Sequence, residues 1–534
     1  MSFSKVLTGA LVGLECFMVD VEVNIDYQGM PNFSVVGLAS KEIDEAKERV
    51  RSAIKNSGYQ FPNRRITVNL APADLHKRGS LYDLPIAVGI LKACGIIKEE
   101  VNDFFVMGEL SLNGEINKIN GAIPLVLFAK DNEKIICTSK ENAFESSIIK
   151  DARIKSFETL NSFVDFLNKE EEVEDEKHIS IRDSVFVNKS RPGLRFGSVS
   201  SDDLGRNQLI NSESELDFKY IKGQENAKRA LEIAAAGAHN VALVGPPGSG
   251  KTLLAKSLVS ILPEMNDDEA LEVTKIYSIA GLLKPNLPFV TSRPFRAPHH
   301  SITKAGLLGG GTPISPGEIT LAHLGVLFID EFAELEQDLI ESLREPIESK
   351  EITISRATGS VTFPTDFTLI VATNPCPCGN LGNPNKECTC YPYQIKKYQD
   401  KLSGPILDRI DLYVNCLPVE IEKLQNDNND EELSKEIANR IQTARDTQSS
   451  RFLGQKNMLT NAKLNSREVY KYCHLEDDAK DFIRTAAKKL QLSARSYHKL
   501  LKVSLTIADL EKADQIRINH IAEALQYRFG NINS

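Results

Sequence analysis

The chain has 534 residues, 41% of them apolar, and a net charge of -9; that length calls for two or three domains rather than one core. The acidic balance excludes a broad electrostatic footprint for nucleic acid or anionic membrane, so any such contact must be local. No run of about eighteen apolar residues offers a membrane span, and the opening "MSFSKVLTGALVGLECFMV" lacks a signal-peptide cleavage pattern, so a soluble cytoplasmic protein with no membrane partner is expected.

Residues 1–167 mix two periodicities. "MVDVEVNI" (18–25) and "RITVNLA" (65–71) alternate as half-buried strands. Between them Ile43, Ala46, Val50, Ala53 and Ile54 share one helical face, with Ser40 as candidate N-cap and Gly58 as stop. An α+β domain is expected here. Residues 168–217 open with the acidic run "NKEEEVEDEKH" and continue without apolar period, which reads as a solvated linker. Over 218–418 helices and short apolar strands alternate as in a parallel α/β sheet. Within 419–534, "SREVYKY", "DDAKDFIRTAAKKL", "ARSYHKLLKVSLTIADL" and "NHIAEALQYRF" read as successive amphipathic helices, a small helical domain. The expected fold is multi-domain α/β.

The chemistry concentrates in the third segment. "GPPGSGKT" matches a phosphate-binding loop of Gly245, Pro246, Pro247, Gly248, Ser249, Gly250, Lys251 and Thr252. It follows the apolar strand "VALV" and opens a helix, the context the motif requires. Its backbone N–H groups and Lys251 suit the phosphates of ATP, and the Thr252 hydroxyl suits Mg²⁺. "VLFIDE" (326–331) ends a buried strand in two carboxylates: Asp330 to hold the Mg²⁺ shell, Glu331 to polarise the attacking water. "FTLIVATNP" (367–375) ends in Asn374, whose amide either positions water or simply makes a turn before proline.

"NPCPCGNLGNPNKECTC" (374–390) gathers Cys376, Cys378, Cys388 and Cys390, four of the nine cysteines. In a reducing compartment four thiolates favour one structural Zn²⁺; four unliganded thiols are the alternative. The following "YPYQIKKYQDK" is open to a local nucleic-acid contact and, equally, to an ordinary amphipathic helix. His299 and His300 have no ligand spacing around them and read as structural or interface residues.

Taken with "GQENAKRALEIAAAGAHNVALVGPPGSGKT", "RPFRAPHHSIT", "SPGEITLAHLGVLFIDEF", "LREPIE", "SRATGSVTFP", "NPCPCG", "SGPILDRIDL" and "SARSYHKLLKVSLTIADL", in that order over roughly 220–512, the chain resembles AAA+ ATPases. The likeness is to the branch of magnesium chelatase subunit I and the MCM helicases, and most specifically to the ComM (YifB-type) competence-associated family. That resemblance implies an AAA+ core with helicase-type inserts and a helical lid. It implies Asn374 as sensor 1, Arg409 as an arginine finger acting on a neighbouring subunit, Arg495 as sensor 2, and a homo-oligomeric ring, a hexamer in the family. "EITISRATGSVTFP" (351–364) reads as two strands around "ATG"; in the related helicases such a hairpin points into the central channel, where Arg356 and the neighbouring Lys350 would meet DNA phosphates. A solvated hairpin is the competing reading.

The N-terminal "RGSLYDLPIAVGIL" and "MGELSLNGEINKINGAI" resemble the proteolytic domain of Lon proteases. The position of that family's serine falls on Leu81 and that of its lysine within 122–125, with Ser80 and Lys118 out of register, so a non-proteolytic scaffold is expected. The resulting expectation is an ATP-driven ring motor acting on branched or single-stranded DNA, in branch migration during recombination of incoming DNA. Its alternatives are a magnesium-chelatase-like protein-remodelling ATPase and, third, a Lon-like protease.

Overall fold

The computed structural model describes residues 2–178 and 217–528 apart from 29, 38–40, 76, 78, 171, 285–288, 313, 357–358, 384–385, 403–405, 420–432 and 455–459. Ser40 and most of the 168–217 stretch lie outside the described residues.

The N-terminal unit is a seven-stranded mixed sheet in the order Asn32–Val36, Arg65–Ala71, Glu15–Asp26, Ser2–Val12, Phe104–Val106, Ile135–Ser139, Ile154–Phe157. Period-two alternation puts Val19, Val21, Val23 and Ile25 of one strand and Ile66, Val68 and Leu70 of its antiparallel neighbour on the buried face. Onto that face packs the helix Asp83–Ala93, buried at nearly every position because its sequence is apolar all round. Helix Lys41–Asn56 closes the layer with Val50, Ala53 and Ile54. It ends where Gly58, at φ 85°, turns its N–H back to the Lys55 carbonyl.

The acidic run does not leave this unit at once. The Glu176 N–H donates to the Ile154 carbonyl at 2.8 Å, and Lys155 pairs with Asp175 at 3.0 Å, so residues 172–177 lie against the edge strand.

The second unit is a five-stranded sheet in the order Phe295–Arg296, Val326–Ile329, Thr368–Thr373, Val241–Val244, Leu412–Asn415. All four pairings are parallel, and the three inner strands read as continuous apolar runs because both their faces are covered. Registers such as Val244 opposite Thr373 and Ile329 opposite Val371 bring the C-terminal ends of those three strands to one edge. In a sheet of this order, loops leaving that edge build the ligand site.

Helices Ser434–Arg451, Ser466–Tyr472, Asp477–Lys489, Ala494–Leu510 and Ile518–Gln526 follow. Ser466–Tyr472 starts on a capping box between Asn465 and Glu468. These helices share one apolar cluster with the sheet: Leu501 and Ile507 pack in the same core as Val241, Leu243 and Leu412. A buried polar clasp reinforces that contact, for His239 meets Asp411 at 3.3 Å and Thr506 at 2.8 Å. Burial pushes the Asp411 carboxyl up, but the His239 hydrogen bond and charge, with Lys499 and Lys502 nearby, hold it below the usual carboxylate range.

Helix Asp267–Ile279 forms one contact between the two units. Its N-terminus carries an Asn266–Glu269 capping box and three acidic residues facing the helix dipole. Toward its C-terminus the Ser278 carbonyl accepts from the Gly121 N–H at 3.0 Å, and the Ser278 hydroxyl donates to the buried Glu145 at 2.5 Å.

Candidate functional site

The phosphate loop spans Gly245–Thr252 between the strand Val241–Val244 and the helix Lys251–Ser257. Gly248 and Gly250 have φ of 80° and 85°, left-handed values that only glycine adopts without strain, and they turn the chain so that successive N–H groups can face a phosphate. Pro246 and Ser249 are buried, and Pro247 lies at the surface. Gln224, just ahead of the helix Glu225–Gly237, steadies the loop by donating to the Ser249 carbonyl at 3.2 Å.

Lys251 Nζ donates to the Gly245 carbonyl at 2.7 Å, the Pro246 carbonyl at 2.9 Å and Asn374 Oδ1 at 3.3 Å. Burial pulls its ammonium below the ordinary lysine range, so a nearby anion is the favoured partner for its charge. Asn374 therefore stands within reach of the same cation as the loop, because its strand is hydrogen-bonded to the one that feeds the loop. On the other side Thr252 Oγ1 donates to Asp330 Oδ2 at 2.7 Å. That pair of hard oxygen donors fits an Mg²⁺ ion that keeps most of its own waters. Glu331 has φ 49° and donates its N–H to Asp330 Oδ1 at 2.9 Å. The turn aims its carboxylate away from Asp330, half exposed, at His300 Nδ1 3.1 Å away. The ring of His300 lies 4.0 Å from that of His299. His300 is the side chain that meets Glu331, a contact legible only once "APHH" and "DE" are seen to follow adjacent strands.

Arg409 and Arg495 meet elsewhere. Both guanidinium groups reach Glu348 Oε1, Arg495 at 3.4 Å and Arg409 more closely. Burial pulls Arg409 below the usual arginine range, and the neighbouring Arg495 and Arg344 charges add to this against the Glu348 carboxylate. Its backbone is pinned by Asn240, which donates to the Arg409 carbonyl at 2.9 Å and accepts from the Leu369 N–H at 2.8 Å. Asn240 precedes the strand 241–244 and Arg409 precedes the strand 412–415, and these run parallel with Val241 opposite Leu412. The arginine thus sits at the opposite edge of the sheet from the phosphate loop, roughly 13 Å of strand away. Glu348 carried no signal in the sequence beyond its place in "LREPIE".

The hairpin pairs Glu351–Arg356 with Gly359–Pro364 in antiparallel register, Arg356 opposite Gly359. Arg356 is exposed beside the turn, whose two residues, 357–358, lie outside the described set. Lys350 points the other way, to Asp366 at 3.7 Å, an acid that Lys463 also holds. Burial pulls Lys350 below the ordinary lysine range.

The four cysteine sulfurs lie within 4.8 Å of one another. Cys378 is drawn down to about 5, chiefly by the backbone N–H groups of Asn380 and Thr389. Next in the chain, Tyr391 and Tyr393 are exposed and stacked 6.0 Å apart, while Tyr398 of the helix Pro392–Leu402 is buried. In the N-terminal unit Leu81 is core, the Ser80 hydroxyl donates to Glu109, and Lys118 pairs with Glu145 at 3.1 Å. Ser80 and Lys118 are therefore engaged with different carboxylates, and 122–125 is buried helix.

Comparison with known proteins agrees along the whole chain. The families described as "Magnesium chelatase, subunit ChlI", "Subunit ChlI of Mg-chelatase" and "Magnesium chelatase, subunit ChlI C-terminal" match residues 217–424, 21–142 and 431–528. The Competence protein ComM of Haemophilus influenzae is 42% identical over 99% of this chain and 98% of its own. The YifB protein of Salmonella typhimurium is 39% identical over 99% and 97%. The magnesium-chelatase 38 kDa subunit of Rhodobacter capsulatus is 29% identical over 30% of this chain and 50% of its own. A phosphate loop, an acidic pair and an asparagine at one sheet edge, inside matches that run end to end, establish that this chain belongs to the ChlI-like AAA+ family of ATPases, in its ComM/YifB-type branch.

Proposed function

We propose that the protein is an ATP-driven, ring-forming motor that acts on DNA, in branch migration during recombination of incoming DNA. The observation that carries the ATPase half is the convergence of Lys251, Thr252, Asp330, Glu331 and Asn374 on the C-terminal edge of three adjacent strands. Lys251 and the loop N–H groups would bind the β and γ phosphates. Thr252 and Asp330 would hold Mg²⁺, which supplies charge neutralisation at the phosphates when bound. Glu331 would take a proton from an attacking water, with His300 holding the direction of its carboxylate. Asn374 would orient that water or the γ phosphate. Arg409, ahead of the N-terminal end of its strand, would serve a neighbouring subunit's nucleotide as an arginine finger, with Arg495 as sensor 2, which makes turnover a property of a ring, hexameric by family expectation. A zinc ion in the Cys376–Cys390 loop would stand outside hydrolysis, because four thiolates leave no open position for a reactant.

The DNA half is supported by the competence relative, by exposed Arg356 beside the hairpin turn, and by the exposed Tyr391–Tyr393 pair, a surface on which bases can stack. A second reading, a protein-remodelling motor of the chelatase kind, draws on the ChlI matches themselves. The deciding experiment measures ATP hydrolysis by the purified protein with and without forked or four-way DNA while following the junction. DNA-stimulated turnover with ATP-dependent junction movement supports the DNA motor. Turnover indifferent to DNA, with no movement, hands the lead to protein remodelling. The Lys251→Ala chain should lose turnover altogether, as a phosphate loop without its cation must.

A further inference from the structure

The cysteine loop is not a loose appendage of the phosphate loop. Cys376 is fully buried, and its sulfur lies 3.5 Å from Cys378 Sγ and 3.7 Å from Cys388 Sγ; Cys378 and Cys388 are 3.6 Å apart. These spacings exclude disulfides, whose sulfurs sit at about 2 Å. They match one face of a tetrahedron, since zinc–thiolate bonds of about 2.3 Å put the sulfurs about 3.8 Å apart, and the sulfur of Cys390 lies within 4.8 Å of the other three. Backbone N–H groups also aim at the sulfurs: Leu381 donates to Cys376 Sγ and Cys378 to Cys390 Sγ, each at 3.3 Å. Such donors stabilise thiolates around a cation.

The turn between the two ligand pairs then rests on the nucleotide site. Gly379, at φ 78°, is buried so closely against Pro247 that a Cβ there would come 2.6 Å from Pro247 Cδ and 3.2 Å from Cγ. Its N–H is held by the Cys376 carbonyl at 2.9 Å. A proline ring cannot swing aside as a flexible side chain would, so the position of Gly379 and that of the phosphate loop are linked by direct contact.

We propose that Cys376, Cys378, Cys388 and Cys390 bind one zinc ion, and that the loaded knot, through Gly379 on Pro247, braces the phosphate loop so that metal loading sets nucleotide affinity. The second half rests on the reading of 245–252 as the nucleotide site. Zinc binding displaces the remaining thiol protons to solvent and needs no redox partner. Without the ion, four sulfurs at these distances lose the charge that holds them together, the turn relaxes, and the loop pays an ordering cost on binding nucleotide.

The test uses the full chain purified without chelator. Zinc is measured by mass spectrometry, and Co²⁺ is substituted into stripped protein to read the absorption of a tetrahedral tetrathiolate. The affinity for a fluorescent ATP analogue with Mg²⁺ is then compared between as-isolated, stripped and zinc-reloaded protein. About one zinc per chain is expected, with affinity weakened about tenfold on stripping and restored on reloading. Gly379→Ala should keep its zinc and show the same weakening, which separates the brace from a general loss of fold. Absence of zinc together with no tetrahedral cobalt spectrum would overturn the metal site. Zinc present, but affinity unchanged in both stripped protein and Gly379→Ala, would overturn the brace alone. If no form binds nucleotide while the cobalt spectrum is intact, the nucleotide reading and the brace both fall and the metal site stands.

Discussion

Glu348 accepts from two arginines that come from different parts of the chain, one before the last strand of the sheet and one at the start of the helix Ala494–Leu510. A single carboxylate that orders two flexible guanidinium groups lowers the entropy each must lose before it can face a phosphate. Glu348→Ala is therefore expected to lower turnover by about tenfold or more, about 1.4 kcal/mol of transition-state stabilisation per factor of ten. Nucleotide affinity should be unchanged, because the phosphate loop has its own supports. Normal turnover by this variant would remove the positioning role. The residues named from motif spacing differ in how they could be found. Lys251, Thr252, Asp330 and Asn374 were legible because a short strand followed by a fixed residue type carries them all to one edge. The contacts of Glu348, His300 and Gly379 were not, because each joins segments far apart in the chain, and nothing in local spacing records such a contact.

Periodicity served well wherever one face of an element is buried. "RITVNLA" is the strand Arg65–Ala71 residue for residue, and the four C-terminal amphipathic segments are the helices Ser466–Tyr472, Asp477–Lys489, Ala494–Leu510 and Ile518–Gln526. It failed on Ser434–Arg451, a polar helix that buries only Ile437, Ile441, Ala444 and two polar side chains, Ser434 and Gln448. That stripe is too narrow to stand out from a solvated segment. The hairpin shows the same limit at finer grain, since strand pairing was legible but the direction of Lys350 was not. Lys350 lies in a left-handed turn at φ 63° and folds back to Asp366. Arg356→Ala should then flatten the salt dependence of DNA binding by about one unit of slope for each phosphate that Arg356 neutralises, with the melting temperature unchanged for so exposed a side chain. Lys350→Met should do the reverse, lowering the melting temperature while the salt slope holds. If Lys350→Met moves the slope instead, its side chain reaches DNA after all.

The residues proposed for the chemistry lie at the two opposite ends of one sheet's strands. The phosphate loop, Asp330 and Asn374 follow the C-terminal ends of their strands, while Arg409 precedes the N-terminal end of Leu412–Asn415, tied there by Asn240. A rigid parallel sheet cannot bring its own opposite edges together, so on the proposed reading the arginine would serve a second copy through a head-to-tail contact, the kind that closes into a ring. Mixing chains tests this directly. Arg409→Ala subunits keep Lys251, and Lys251→Ala subunits keep Arg409, so each variant alone should be inactive. In an equal mixture that exchanges freely, about a quarter of the interfaces pair an intact loop with an intact arginine, and turnover should rise to about a quarter of the wild-type value if interfaces act independently. An arginine acting within its own subunit predicts no recovery at any ratio. The test is demanding because it asks for activity to appear from two inactive parts, and misfolded or unassembled protein cannot imitate that result.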